Sequence, residues 1–203
     1  MLRDLKFTEL LDEIASNSPA PGGGSVAAMS GAIGCSLLMM VCGLTIGKKK
    51  YADVQEQAQQ VLNEATRLKG EFISLIDDDT DAFMRLFDLF KIKEPTPEQQ
   101  QALKAAEANA IAVPRRTMET AFAAMEQAMK LAPIGNKNAV SDIGVAIHCI
   151  KTAYKGGKLN VLINLAGKED AEKASHIKWL DEMGDRFKPL KKAAMAAVKE
   201  RME

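Results

Sequence analysis

The chain is poor in the residues that announce most kinds of chemistry. Histidine occurs only twice, at His148 and His176. They lie far apart, and neither an HExxH nor a CxxC pattern is present, so no dedicated metal site is expected. Cysteine occurs three times, at 35, 42 and 149. Cys35 and Cys42 sit seven apart on one helix-like stretch, about 10 Å of rise, too far for a bridge. An odd set on apolar faces reads as reduced, buried thiols and a cytoplasmic protein. Charge of either sign is not in excess: 27 Lys and Arg balance 27 Asp and Glu. That gives no footing for a nucleic-acid or membrane-surface partner. Ser-His-Asp, phosphate-loop and dinucleotide fingerprints are absent, and the N-terminus lacks the charged and apolar regions of a signal peptide. Aromatics make up only 5% of the chain, whereas Ala, Leu and Met are plentiful, a helical composition. No convincing period-two alternation, internal repeat or low-complexity linker occurs. The 203 residues are expected to form one all-α domain, a helical bundle, spanning 1–203.

What is present centres on Ser18–Tyr51. Gly22–Gly47 holds no charged residue, and half of it is Gly, Ala or Ser. The run is long enough to raise a membrane span. Its small residues, and the lack of a second such segment, argue instead for the central Gly/Ala-rich buried helix, wrapped by the others. Pro19 and Pro21 hold the chain extended before it. Gly22, Gly23 and Gly24 leave backbone amides bare, and Ser25 is a cap for the helix. A glycine loop at a helix N-terminus suits an anion or polar ligand, but local pattern alone favours a tight turn that lets the helix pack closely. Lys48, Lys49 and Lys50 end the stretch. They suit an anionic ligand group, or equally the negative end of the helix dipole.

The other elements read as follows. Residues 1–17 make a first amphipathic helix capped by Thr8. From Asp53 to about Ile92, apolar residues recur in steps of four and three: Val61, Ala65, Leu68, Phe72, Leu75, Ala82 and Leu86. Asp79 falls within that seam. A core carboxylate is expensive unless paired, and is where a shifted pKa is expected. Asp77, Asp78 and Asp81 read as its solvated rim. Gly70 suggests a close helix contact. Thr96-Pro97-Glu98-Gln99 starts a helix that Pro114 should kink or split. A polar connection, Pro133–Asn138, leads into Ser141, Asp142 and a helix through Tyr154, with Gly156-Gly157 bending or interrupting it. Asn160 and Asn164 share one face, where two amides serve either a ligand or neighbouring loops. Trp179, Met183, Phe187, Ala194 and Val198 mark a last helix.

Five segments in series resemble the cyclodeaminase/cyclohydrolase family: SPAPGGGSVAA with LTIGKKKY, DDDTDAF at 77–83, VP at 113–114, GNKNAVSD at 135–142 and NVLINL at 160–165. The family comprises the C-terminal domain of formiminotransferase-cyclodeaminase and stand-alone bacterial methenyltetrahydrofolate cyclohydrolases. The resemblance implies chemistry on the one-carbon unit bridging N5 and N10 of tetrahydrofolate. A cyclohydrolase opens the methenyl ring with water, whereas a cyclodeaminase closes a formimino group onto N10 and releases ammonia. It implies Asp79 as the catalytic carboxylate and Asp142 as a second candidate. It also implies substrate contacts from Gly22, Gly23, Gly24, Ser25, Asn136, Asn138, Asn160 and Asn164, and from Lys48–Lys50 to a glutamate or polyglutamate tail. It carries no cofactor beyond the folate substrate, and implies a homodimer. VCGLTIGKKKY and VSDIGVA look more like the cyclohydrolases; the cyclodeaminase is the runner-up, and a non-catalytic folate-binding protein is a minor third reading.

Overall fold

Helix starts and stops follow local chemistry where the sequence is explicit about them. Thr96 accepts from the Gln99 amide at 3.3 Å while the Gln99 side chain takes the Thr96 N–H at 2.9 Å, a reciprocal cap with Pro97 behind it. The computed structural model describes all 203 residues, and its only regular elements are helices. The order is α1 (Phe7–Ile14), α2 (Gly23–Thr45), α3 (Gln55–Phe90), α4 (Pro97–Leu131), α5 (Val140–Asn164) and α6 (Asp170–Met202). Short 3₁₀ turns cover Leu2–Asp4, Lys49–Val54 and Lys137–Ala139. The apolar side chains form one core of 36 buried residues drawn from all the long helices.

Small residues on α2 set the spacing of the bundle. A side chain at Gly31 would overlap the Phe72 ring of α3, and a Cβ at Gly34 would lie 2.8 Å from Ile150 of α5. Both neighbours therefore approach the α2 backbone directly. Phe72 and Ile150 are fully buried as a result, each worth about 1.5–3 kcal/mol of transfer free energy. By length and composition α2 is apolar enough to cross a membrane, yet Gly24, Gly31, Gly34, Cys35 and Cys42 are buried against protein. It is not wrapped on every side. Ile33, Met40 and Leu44 are more than 40% exposed, and with half-buried Met29 and Leu37 they form a continuous stripe.

Several local expectations change. The first helix is shorter, beginning after Lys6 rather than at a Thr8 cap. The Lys6 N–H bonds the Glu9 carboxylate at 3.1 Å, and only Leu10 of α1 is buried. Gly70 touches nothing, because it lies on the side of α3 opposite Leu68 and Phe72. α5 runs unbroken through Gly156 and Gly157, which are close-contact points rather than breaks. A Cβ at Gly156 would sit 2.6 Å from that of Ala27 on α2, and one at Gly157 would sit 2.9 Å from the Pro114 carbonyl on α4. α4 likewise stays continuous through Pro114.

Three consecutive aspartates of α3 reach three different elements. Asp77 is buried, not on a solvated rim: it takes the Leu2 N–H at 2.8 Å and faces Arg3 Nε at 3.1 Å, anchoring the N-terminal segment. Asp78 pairs with Arg116 of α4 at 3.2 Å. Asp79 turns to α2. Successive side chains on a helix point about 100° apart, so one short acidic run ties three directions together.

Candidate active site

Asp79 meets the first turn of α2. The helix begins after Gly22, so Ser25 lies inside the first turn and is not its cap. Its hydroxyl donates instead to Asp79 Oδ2 at 3.0 Å and lies 3.1 Å from the Thr80 hydroxyl. Gly24 is pressed against the same carboxylate so tightly that any side chain there would overlap it. Burial pushes the Asp79 carboxyl above the usual carboxylate range, while hydrogen bonding from Ser25 pulls it down. The α2 N-terminus also favours its charged form. The net effect is a carboxyl that holds its proton more readily than an exposed one, the direction that favours general acid–base work.

A cavity of about 240 Å³ opens in front of Asp79. Gly22, Gly23 and Gly24 form one wall, Ala82 and Phe83 of α3 another. Val113 of α4 and Asn160, Ile163 and Asn164 of α5 complete it. The cavity thus gathers the glycine loop, the core carboxylate and both amides, with Ser25 one bond behind.

The two amides carry structural duties as well. Asn160 Nδ2 bonds the Gly156 carbonyl one turn back at 2.9 Å. Asn164 Nδ2 bonds the Ala110 carbonyl of α4 at 2.6 Å. Ala110 is four residues before Pro114, whose ring nitrogen has no hydrogen to offer that carbonyl. Asn164 supplies the missing donor, and so the NVLINL and VP segments are two halves of one contact. Both asparagines also line the cavity, and these bonds use only Nδ2.

The remaining sequence candidates lie elsewhere. Lys48, Lys49 and Lys50 follow the far end of α2, about 33 Å of helix away, and are exposed. Asn136 is a loop staple there: its N–H bonds Thr45 Oγ1 at 2.9 Å and its Nδ2 the Leu44 carbonyl at 2.8 Å, while its Oδ1 accepts from the Asn138 amide at 3.0 Å. Asp142 is half-buried in the first turn of α5, at the same end. One chain does not bring these residues to Asp79. Conversely, the cavity uses Phe83, Val113 and Ile163, which sequence reading did not single out. All three were inside segments already marked, and only the tertiary contacts separate them from core. No group of three or more His, Cys, Asp or Glu side chains is placed to hold a metal ion.

The family model for formiminotransferase-cyclodeaminase matches residues 6–180. The methenyltetrahydrofolate cyclohydrolase of Methylorubrum extorquens is 38% identical over 164 residues, 79% of each chain. The formimidoyltransferase-cyclodeaminase of Mus musculus is 32% identical over 182 residues, 86% of this chain but 34% of that protein, so the chain spans about a third of its length. The crystal structure of formiminotetrahydrofolate cyclodeaminase from Thermotoga maritima superposes with a TM-score of 0.89 at 26% identity, covering 98% of both chains. With the family model matching residues 6–180 and the whole bundle shared with a solved relative, the chain belongs to the formiminotransferase-cyclodeaminase family.

Proposed function

We propose that the protein is a methenyltetrahydrofolate cyclohydrolase, an enzyme that hydrolyses 5,10-methenyltetrahydrofolate to 10-formyltetrahydrofolate. The observation that carries this reading is the half-desolvated Asp79 carboxylate facing a ring-sized cavity beside bare glycine backbone. The methenyl carbon is cationic, and an ionised carboxylate in a low-dielectric wall stabilises such a cation at short range. Water adds to that carbon and loses a proton to Asp79, giving a tetrahedral intermediate. Asp79 returns the proton to N5, the C–N5 bond breaks, and the hydroxyl of the intermediate releases its proton to solvent as it becomes the formyl oxygen on N10. Ser25 holds Oδ2 by its hydrogen bond and Gly24 packs against Oδ1, so the carboxylate is fixed in orientation at the cavity. The Asn160 and Asn164 Oδ1 atoms accept N–H groups of the substrate. No separate cofactor takes part in this scheme.

A second reading, formiminotetrahydrofolate cyclodeaminase, is favoured by the close superposition on the Thermotoga maritima protein. There N10 attacks a formimino carbon on N5 and ammonia leaves. The same carboxylate would take the N10 proton and protonate the departing nitrogen.

The enzyme is proposed to work as a cytoplasmic homodimer. The exposed stripe Ile33, Met40 and Leu44 on α2 fits a second copy. If two α2 helices pair antiparallel across a two-fold axis, the Lys48–Lys50 end of one meets the Gly22–Gly24 end of the other. Lys48–Lys50, Asn136, Asn138 and Asp142 would then serve the partner's cavity, with the lysines toward an anionic, including polyglutamate, tail.

Absorbance of 5,10-methenyltetrahydrofolate with purified protein tests the reading, beside ammonia release from 5-formiminotetrahydrofolate. Fast loss of the methenyl chromophore, without ammonia from the second compound, is expected. Ammonia together with methenyl accumulation would replace it by the cyclodeaminase, and no turnover of either would end both.

A further inference from the structure

The mouth of the Asp79 cavity differs in character from its floor. Ala82, Ala110 and Val113 line the floor and are buried, whereas Phe83 of α3 and Ile163 of α5 line the same space and are 40% and 67% exposed. Large apolar side chains left open beside a cavity gain by being covered when it fills. Phe83 stands one turn after Asp79, about 6 Å along α3 and on the same face. Its ring stacks on that of Phe87 a further turn on, with centroids 5.9 Å apart and planes 17° from parallel. The Lys91 ammonium lies 4.1 Å from the Phe87 centroid. Phe87 is thus engaged by both neighbours and lies outside the cavity lining, so it braces Phe83, which lies within it. Asp79 is the one charged residue in that lining. Its carboxylate repels another, so the cavity suits a neutral or cationic ring system and not an anionic tail.

We infer that Phe83, braced by Phe87 and joined by Ile163 at the mouth, is the subsite for the aryl ring carried on N10 of the substrate, given the tetrahydrofolate chemistry proposed above. The aminobenzoyl ring is bonded to N10, the atom next to the reacting carbon. A carbon held at Asp79 therefore brings the ring within about one helical turn of it, where Phe83 stands. Paired aromatic rings are favourable beyond the area they bury. The glutamyl end, with its carboxylates, then leaves the mouth away from Asp79. The ring takes no part in bond making, so the subsite acts on binding and not on the chemical step.

Isothermal titration of the full chain with 5-formyltetrahydropteroate tests this. That compound carries the ring but neither the glutamate nor a methenyl bridge to open, and 5-formyltetrahydropterin, which lacks the ring, is its matched probe. The ring should add at least about tenfold in affinity. Phe83→Ala should weaken the pteroate about tenfold and leave the pterin unchanged, whereas Phe83→Tyr, which keeps an aromatic ring, should bind both as the unaltered chain does. In turnover of 5,10-methenyltetrahydrofolate, Phe83→Ala should raise KM about tenfold with kcat within about threefold. The Ile163 methyl resonances of the unaltered chain should shift more with the pteroate than with the pterin, a readout that needs no variant to fold. Phe83-dependent pteroate binding by a chain that turns over neither folate substrate would end both proposed activities yet uphold the subsite. No pteroate binding in the millimolar range, equal affinity for the two probes, or equal weakening of both by Phe83→Ala would overturn it. So would a Phe83→Ala defect carried by kcat alone, or a fall in the light-scattering mass of Phe83→Ala, which would give the exposed rings to a second copy.

Discussion

Asn164 donates from its side chain to the Ala110 carbonyl at 2.6 Å, and so replaces the hydrogen bond that Pro114 removes from α4. Gly157 of α5 lets the Pro114 carbonyl approach closely, since a Cβ there would lie 2.9 Å from it, and the asparagine keeps the buried Ala110 carbonyl satisfied. Asn164→Leu should cost about 1–3 kcal/mol of stability. In a Pro114→Ala background the restored N–H can serve Ala110 directly, so the same substitution should cost less. Denaturant melts of the four proteins in a double-mutant cycle check this. Additive effects would show that the two residues act separately.

Asp79→Asn should lower kcat by about 10²–10⁴-fold while leaving the fold intact. It should also raise the melting temperature at neutral pH. Burial raises the folded pKa of Asp79, so its contribution to stability is fully present below the unfolded carboxyl value, about pH 4. That contribution is lost as pH rises through the folded value. The melting difference between variant and unaltered chain should therefore be near zero in acid and positive at neutrality. A variant that melts lower at neutral pH would show that Ser25 and the α2 terminus outweigh desolvation.

Gly24 has room for a hydrogen and nothing else against Asp79. Gly24→Ala should displace the carboxylate, costing about 1–3 kcal/mol by overpacking and most of the activity. Gly22→Ala, where nothing lies within 4 Å, should retain activity. Parallel assays and melts of the two variants separate steric exclusion from a general intolerance of the loop.

Ile33→Glu or Met40→Lys on the α2 stripe should halve the mass measured by light scattering, to the 22.0 kDa of one chain. If the site is shared between copies, mixing inactive Asp79→Asn with a weakened Lys48–Lys50 triple-alanine variant should restore one intact site per mixed dimer. An unaltered chain already at 22.0 kDa would remove the dimer.

Cys35 and Cys42 are buried and pushed up to about 12 by desolvation, and Cys149 is raised in the same way. Only Cys149 is partly accessible. A thiol reagent at neutral pH should modify at most one cysteine of the native chain, slowly, and all three after unfolding. Rapid native labelling at two or more would contradict the packing of α2.

Periodicity along one chain carried the helical architecture. Runs such as Val61–Ala65–Leu68–Phe72–Leu75 bury one face of a helix whatever it meets, and Thr96–Gln99 caps its own helix from four residues. Asp79 stood out because a carboxylate occupied an apolar position in such a run, and the bare glycines because no side chain covered them. Other features depend on partners distant in sequence. Gly156-Gly157 looks like a break until Ala27 and Pro114 are seen against it. Asp77 looks solvated until Leu2 and Arg3 fold back onto it. Ser25 looks like a cap until Asp79 takes its hydroxyl. Lys48–Lys50 and Asp142 belong to the same series of segments as the cavity residues but lie a full helix length away. Helix formation is a local balance of propensity and apolar spacing, and a sequence states it directly. Which polar groups face one another is fixed by how helices dock, and that was decided only when the bundle closed.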